Sequence, residues 1–158
     1  MPKIKVISGA QTGVDRAALD VAIALGIPHG GTCPKLRKAE DGPIPDHYQL
    51  NESNSPSYRV RTRQNILDSH GTLILHQGPL SLGTKLTRDT CLKAKKPLLM
   101  VDISSTKADQ PCQYFRDFMD FHFIAILNIA GPRASLWRKG YPLSFQYLKN
   151  NLSHYLAP

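Results

Sequence analysis

Five short apolar runs alternate with stretches of helical spacing along the chain, and three of the five end in a glycine-bearing turn. That alternation is the strongest constraint on the fold. It implies a parallel sheet with helices on both faces, because parallel neighbours must be joined by crossovers. The first run is Lys3 to Ser8, with Ile4, Val6 and Ile7 suited to a buried strand. Val14, Ala17, Ala18, Val21, Ala22 and Leu25 then recur at helical spacing, and Gly26 is a plausible stop. A short second strand is expected at residues 27–32. Helices are expected at 58–69, 84–95, 110–121 and 141–156, and strands at 71–75, 98–101 and 123–129. The expected architecture is one doubly wound α/β domain spanning 1–158, with a mostly parallel five-stranded sheet in the order 2-1-3-4-5.

The stretch from Cys33 to Pro56 is rich in Pro, Gly, Asp, Asn and Ser and has no helical or strand period. A connection this long inside a compact domain is usually functional or disordered. It is therefore a candidate lid or ligand loop.

The 158 residues carry a formal net charge of +8, which suggests an anionic partner without naming one. The basic residues are scattered in short clusters with no polybasic tail, so nucleic acid is the less favoured partner. Three widely spaced cysteines, Cys33, Cys91 and Cys112, include no CxxC pair. A zinc knuckle or a disulfide framework is poorly supported, and a reducing cytoplasm fits best. The six histidines show no metal-ligand spacing, and no metal site is expected. The N-terminus lacks the apolar core of a signal peptide. No apolar run approaches the roughly 20 residues that cross a bilayer.

The three turns are where chemistry is expected. Ser8-Gly9-Ala10-Gln11-Thr12-Gly13 and Gly78-Pro79-Leu80-Ser81-Leu82-Gly83-Thr84 both lead into helices, and Asn128-Ile129-Ala130-Gly131-Pro132-Arg133 follows the last strand. Glycines let a ligand approach the backbone, and helix N-termini supply free N–H groups and positive potential. Two such loops side by side would cradle an anion at the switch point of the sheet. The first loop is neither a Walker motif nor a dinucleotide fingerprint. The candidate ligand-binding residues are Gly9, Ala10, Gln11, Thr12, Gly13, Arg16, Lys35, Arg37, Arg61, Asn65, Ser81, Leu82, Gly83, Thr84, Asn128, Gly131 and Arg133. Several have plainer readings: Thr12 as a helix cap, Arg16 in an ion pair, Lys35 and Arg37 as solvated surface charge. Cys33 reads more readily as an inert buried thiol than as a ligand to a metal. Arg61 and Asn65 lie four residues apart and share a helix face.

The sequence Gly9-Ala10-Gln11-Thr12-Gly13-Val14-Asp15-Arg16-Ala17-Ala18-Leu19-Asp20 resembles the opening of the molybdenum carrier family. Cys33-Pro34-Lys35 with Arg37 and Ala39-Glu40-Asp41-Gly42 is similar to its second block. Arg61-Thr62, Asn65, Asp68-Ser69, Gly71-Thr72-Leu73-Ile74, Gly83-Thr84 and Asn128 through Arg133 continue the match over nearly the whole chain. Three positions depart from the pattern: Leu36 and Leu82 stand where glycine is usual, and His70 where an acidic residue is common. The resemblance implies a Rossmann-like fold in the wider group of lysine-decarboxylase-like phosphoribohydrolases and DNA-processing protein A. It also implies a carrier or storage role for the molybdenum cofactor, a molybdopterin with a terminal phosphate. Homo-oligomers, and partners among molybdoenzymes or cofactor-synthesis proteins, are implied in the same way.

A carrier needs no catalytic residue. The alternative is a nucleotide-binding enzyme or sensor related to the phosphoribohydrolases, whose signature places a glutamate one turn after Gly-Thr. Here Lys85, Leu86, Thr87 and Arg88 follow Gly83-Thr84, and Asp89 is a shifted stand-in. General acid–base work on a glycosidic bond needs a carboxylate beside that bond. A nucleic-acid-binding module is the third reading.

Overall fold

The computed structural model describes residues 3–106 and 110–158. Its central sheet has five parallel strands: β1 (Lys5–Ile7), β2 (His29–Gly30), β7 (Gly71–His76), β8 (Leu98–Asp102) and β9 (Ile126–Ala130). The helices are α1 (Val14–Ala24), α2 (Tyr58–Asp68), α3 (Leu82–Lys93), α4 (Gln113–Phe121) and α5 (Gly140–Leu156). The doubly wound α/β expectation holds.

The strand order is β2-β1-β9-β7-β8. Counted along the sequence this is 2-1-5-3-4, and the expected 2-1-3-4-5 is corrected at its centre. The last strand, β9, separates the first from the third. Val6 pairs with Leu127 on one side of β9, and Thr72 with Asn128 on the other. The expected order came from setting the glycine turns after the first and third strands side by side at one switch point, and beyond that followed the tendency of successive strands to be neighbours. Burial overrides that tendency here: Leu127, Asn128 and Ile129 are all buried, as befits a strand covered on both faces.

Alternation along the strands divides the interior. Leu73 and Leu75 of β7, with Leu127 and Ile129 of β9, belong to the main core with Val14, Val21, Phe115, Met119 and Leu148 from α1, α4 and α5. Between them, Thr72 and Asn128 pair across the ladder, and Asn128 Nδ2 donates to Thr72 Oγ1 at 3.2 Å. The polar centre of the sheet is thus held by its own hydrogen bond.

The stretch 33–56 is ordered by small pairings. β3 (Thr32–Cys33) pairs with β6 (Asn51–Glu52), and β4 (Lys38–Ala39) forms a hairpin with β5 (Gly42–Pro43). A second core of Ala10, Leu19, Cys33, Ala39, Ile44 and Tyr48 anchors this segment against α1. Arg37 donates to the carbonyls of Ile44, Pro45 and Tyr48 at 2.7–3.0 Å. Asp20 accepts hydroxyls from both Tyr48 and Tyr141, each at 2.5 Å, and so joins the segment to α5.

Two of the departures from the family pattern can be placed in the structure. Leu36 has a φ of 65°, the left-handed region that favours glycine. His70 Nδ1 accepts the main-chain N–H groups of Ala125 and Ile126 at 3.1 and 3.0 Å. A neutral imidazole there offers the lone pair that a carboxylate would offer.

Candidate functional site

A cleft of about 470 Å³ opens at the C-terminal ends of β9, β7 and β1. It sits at the switch point of the sheet, between the turn that follows β9 and the turn that follows β7. Tyr58, Arg61 and Thr62 of α2 face Ser81 to Thr84, Leu86 and Thr87 at the start of α3. Ala130 to Arg133 and Leu136 close a third side, and Gln11 and Asp15 lie at the base. Its size falls within the range of small-molecule sites.

The start of α3 presents free main-chain donors to the cleft. Ser81 caps the helix, its Oγ accepting the Thr84 N–H at 3.3 Å and donating to Thr84 Oγ1 at 3.0 Å. The N–H groups of Leu82 and Gly83, at the first two helical positions, have no hydrogen-bond partner among the described residues. Helix N-termini offer such donors together with positive potential. Leu82 is 85% exposed, and a Cβ at Gly83 would meet nothing within 4 Å, so both amides are approachable.

Arg61 lies across the cleft. Its Nη1 donates to Thr62 Oγ1 at 2.9 Å and sits 3.8 Å from Asp15 Oδ2. Its Nε is buried without a hydrogen-bond partner among the described residues. The guanidinium carbon is 5.3 Å from the centre of the Tyr58 ring, a cation–π distance. Gly9 makes room for it: a Cβ there would fall 2.6 Å from Arg61 Nη1.

Asp15 is the one carboxylate that lines the cleft among the described residues, and it is 3% exposed. Burial pushes its carboxyl up from 3.8 to about 6, against the lowering effects of Arg61, the Gln11 amide, Arg16 and the Gly131 amide. Sequence reasoning left it out of the candidate set. The signal was present: Asp15 is four residues before Leu19 and seven before Ala22, on an apolar helix face.

Of the expected residues, the structure brings Gln11, Arg61, Ser81, Leu82, Gly83, Thr84, Gly131 and Arg133 together in the cleft. Gly9, Asn65 and Asn128 line a recess of about 10 Å³ that shares Asp15, Arg61 and Thr62 with it. Asn65 is satisfied there, pairing with both main-chain groups of Thr32 at 2.7 and 2.9 Å.

Ala10, Thr12, Gly13, Arg16, Lys35 and Arg37 are not among the lining residues. The first loop uses its donors internally. The Gln11 N–H reaches Asp15 Oδ2 at 3.4 Å, and the N–H groups of Thr12 and Glu40 both reach Gln11 Oε1. Thr12 hydrogen-bonds Glu40 and accepts the Ala134 N–H. Gly13, at φ 84°, passes so close to the next loop that a Cβ would lie 2.6 Å from the Pro132 carbonyl. Arg16 forms a bidentate pair with Asp41 at 2.8 and 3.1 Å, and Lys35 is exposed. Arg133 Nε is 3.5 Å from Glu40 Oε2. Glu40 also accepts from the N–H and hydroxyl of Ser135, so the β4–β5 hairpin is strapped to the loop after β9. Asp89 is exposed, pairs with Arg88 and does not line the cleft. Cys33 lies in the second core, where burial raises its thiol.

The model of the circularly permutated YpsA SLOG family matches residues 6–152. The chain belongs to that family. Membership fits the strand order: with β9 and α5 counted first, this SLOG sheet reads 3-2-1-4-5, the common order of dinucleotide-binding sheets. The chain is also similar to a solved structure from Syntrophus aciditrophicus named "putative molybdenum carrier protein". The two share 42% identity over 99% of this chain and 97% of the other, with a TM-score of 0.89. No curated protein matches the chain. No helix among the described residues of this SLOG protein is long and apolar enough to cross a membrane.

Proposed function

We propose that this SLOG protein binds a phosphate-bearing small ligand in the cleft between α2 and α3, and that the ligand is the molybdenum cofactor or a similar phosphorylated pterin, carried or stored rather than transformed. One observation carries the reading: two unpaired helix-terminal amides, at Leu82 and Gly83, share a cleft with the buried guanidinium of Arg61. In this reading the amides and Arg61 hold the phosphate, and Arg133 lines the mouth with its charge paired to Glu40. Tyr58, Leu86, Pro132 and Leu136 supply the apolar walls for the heterocycle. The name of the 42% identical solved structure supports molybdenum cofactor as cargo.

Isothermal titration of the protein against molybdenum cofactor, AMP and ATP at two salt concentrations tests this. Cofactor binding that falls about 10- to 100-fold in Arg61→Ala is expected, the range for removing a charged hydrogen-bond partner. Nucleotide binding with no cofactor affinity would refute the cargo.

A second reading, an enzyme acting on nucleotides, draws on Asp15, the carboxylate that a hydrolase needs and that Asp89 does not provide. Released base or sugar phosphate on incubation with nucleoside monophosphates, abolished in Asp15→Asn, would establish it in place of a carrier.

A further inference from the structure

An oxyanion entering this cleft meets charges that already cancel. Arg61 Nη1 lies 3.8 Å from Asp15 Oδ2, and both side chains are nearly enclosed, at 12% and 4% exposure. The other groups around Asp15 supply no second free cation to offset a further anion. On its own helix, Arg16 is committed to Asp41 and to the Ala10 carbonyl. From the first turn and the loop after β9 come the main-chain N–H groups of Gln11 and Gly131. From α3 the lining groups are neutral: Thr87 Oγ1 donates to the Gly83 carbonyl, and Thr84 Oγ1 accepts from Ser81. Arg133 stands at the mouth, paired with Glu40. A bound anion and an ionised Asp15 would therefore face one guanidinium in a shielded space. Two acids so placed do not both stay ionised, and they hold one proton between them.

We propose that the cleft takes up its oxyanion with one proton shared between Asp15 and the bound anion, which makes Asp15 the residue that selects protonated phosphate oxyanions over fully ionised ones. The selection rests on the cleft being the anion site, as proposed above. Hydrogen phosphate brings its own O–H and donates it to the Asp15 carboxylate. Sulfate has the same shape and charge but no proton to give, so it binds only when Asp15 itself is protonated. Burial, which holds the Asp15 carboxyl at about 6, keeps that proton within reach near neutrality.

Inorganic phosphate and sulfate are the probes, titrated calorimetrically into the wild-type protein and Asp15→Asn at pH 6, 7 and 8. At pH 8 the wild type is expected to bind phosphate at least about tenfold more tightly than sulfate. Its sulfate affinity should rise by about tenfold for each unit that the pH falls toward 6, the slope of one proton taken up. In Asp15→Asn the two anions should bind alike, and sulfate binding should no longer depend on pH. The wild type alone gives a second reading: sulfate titrated in two buffers of different ionisation enthalpy should report close to one proton taken up at pH 8. Equal, pH-independent binding of both anions to the wild type overturns the shared proton while leaving the anion site in place. A phosphate preference that persists in Asp15→Asn overturns it too. Binding of neither anion to either protein at any pH overturns the anion site and the shared proton together.

Discussion

Replacing Asp15 by Asn should make the unliganded protein more stable at pH 8 and leave it nearly unchanged at pH 4. The fold raises the Asp15 carboxyl from 3.8 to about 6, so ionising it costs about 3 kcal/mol more in the folded than in the unfolded chain. For a carboxyl raised by folding, the favourable contribution is complete below 3.8 and is lost as the pH climbs through about 6. At pH 8 the wild type carries the whole penalty, and the uncharged amide does not. For a chain of this size each kcal/mol moves the melting temperature by about 2–4 °C, which gives a gain of roughly 6–12 °C at pH 8. Thermal unfolding of both proteins at half-unit steps from pH 4 to pH 8 measures it. Glu40, Asp41 and Asp102, all lowered, shift stability in the opposite sense, and they cancel when the two curves are subtracted. The reasoning fails if the variant is less stable at pH 8, or if its gain is the same at both ends of the range.

Other substitutions probe the surroundings. Gly13→Ala places a Cβ 2.6 Å from the Pro132 carbonyl at a φ of 84°, and urea unfolding should show a loss of about 1–3 kcal/mol. Leu36→Gly relieves a left-handed backbone at an exposed site, and its unfolding midpoint should be unchanged or higher, by up to about 1 kcal/mol. Glu40→Gln should speed hydrogen exchange at the Ser135 amide, because the strap then loses its charge. In the wild type, burial raises the Glu40 carboxyl, but hydrogen bonds from Ser135 and Thr12 outweigh it and hold the group below 4.5. Protection of the Ser135 amide, its slowing relative to an unstructured chain at the same pH, should therefore fall as the pH falls through the lowered value, and protection independent of pH below 4.5 would contradict the strap. Leu82→Ser, at a position 85% exposed, should change stability by no more than about 0.5 kcal/mol.

Local pattern carried most of the fold. The five helices and five central strands occur in the expected places, but the strand expected at 27–32 is confined to His29–Gly30, with Thr32–Cys33 paired elsewhere, and the helix expected at 84–95 begins at Leu82. Strand order is not local, and the pairing of β9 between β1 and β7 depends on residues about 55 and 120 positions away. Its apolar run was still a usable sign, since Leu127 and Ile129 flank a buried Asn128 with no solvent-facing position among the three. The site divides in the same way. Ser81 to Thr84 were legible because a glycine-bearing turn running from a strand into a helix is a local signal. The first loop looked equally suited to phosphate, but its amides are taken by Asp15 and Gln11, and only the folded backbone reveals that competition. Arg37 is engaged by three carbonyls of its own segment, a contact that charge alone does not announce.

The central position of β9 governs the order in which the chain can assemble. It joins two pairs, β2 with β1 and β7 with β8, and neither pair has the three strands that independent stability requires. During synthesis, 118 residues separate Ile7 from Ile126, an interval of about 6–24 s at ordinary elongation rates. Throughout that time the segments of β1 and β7 lack the strand they pair with in the finished sheet, and their main-chain groups are open to any neighbouring chain. The sheet closes in a single late event when β9 inserts, and the cleft is completed with it, because the strand that joins the halves also carries Gly131 and Arg133 on the loop at its end. Chains halted before residue 126 lack both the central strand and the loop that closes one side of the cleft, so the cleft exists only once the sheet is whole.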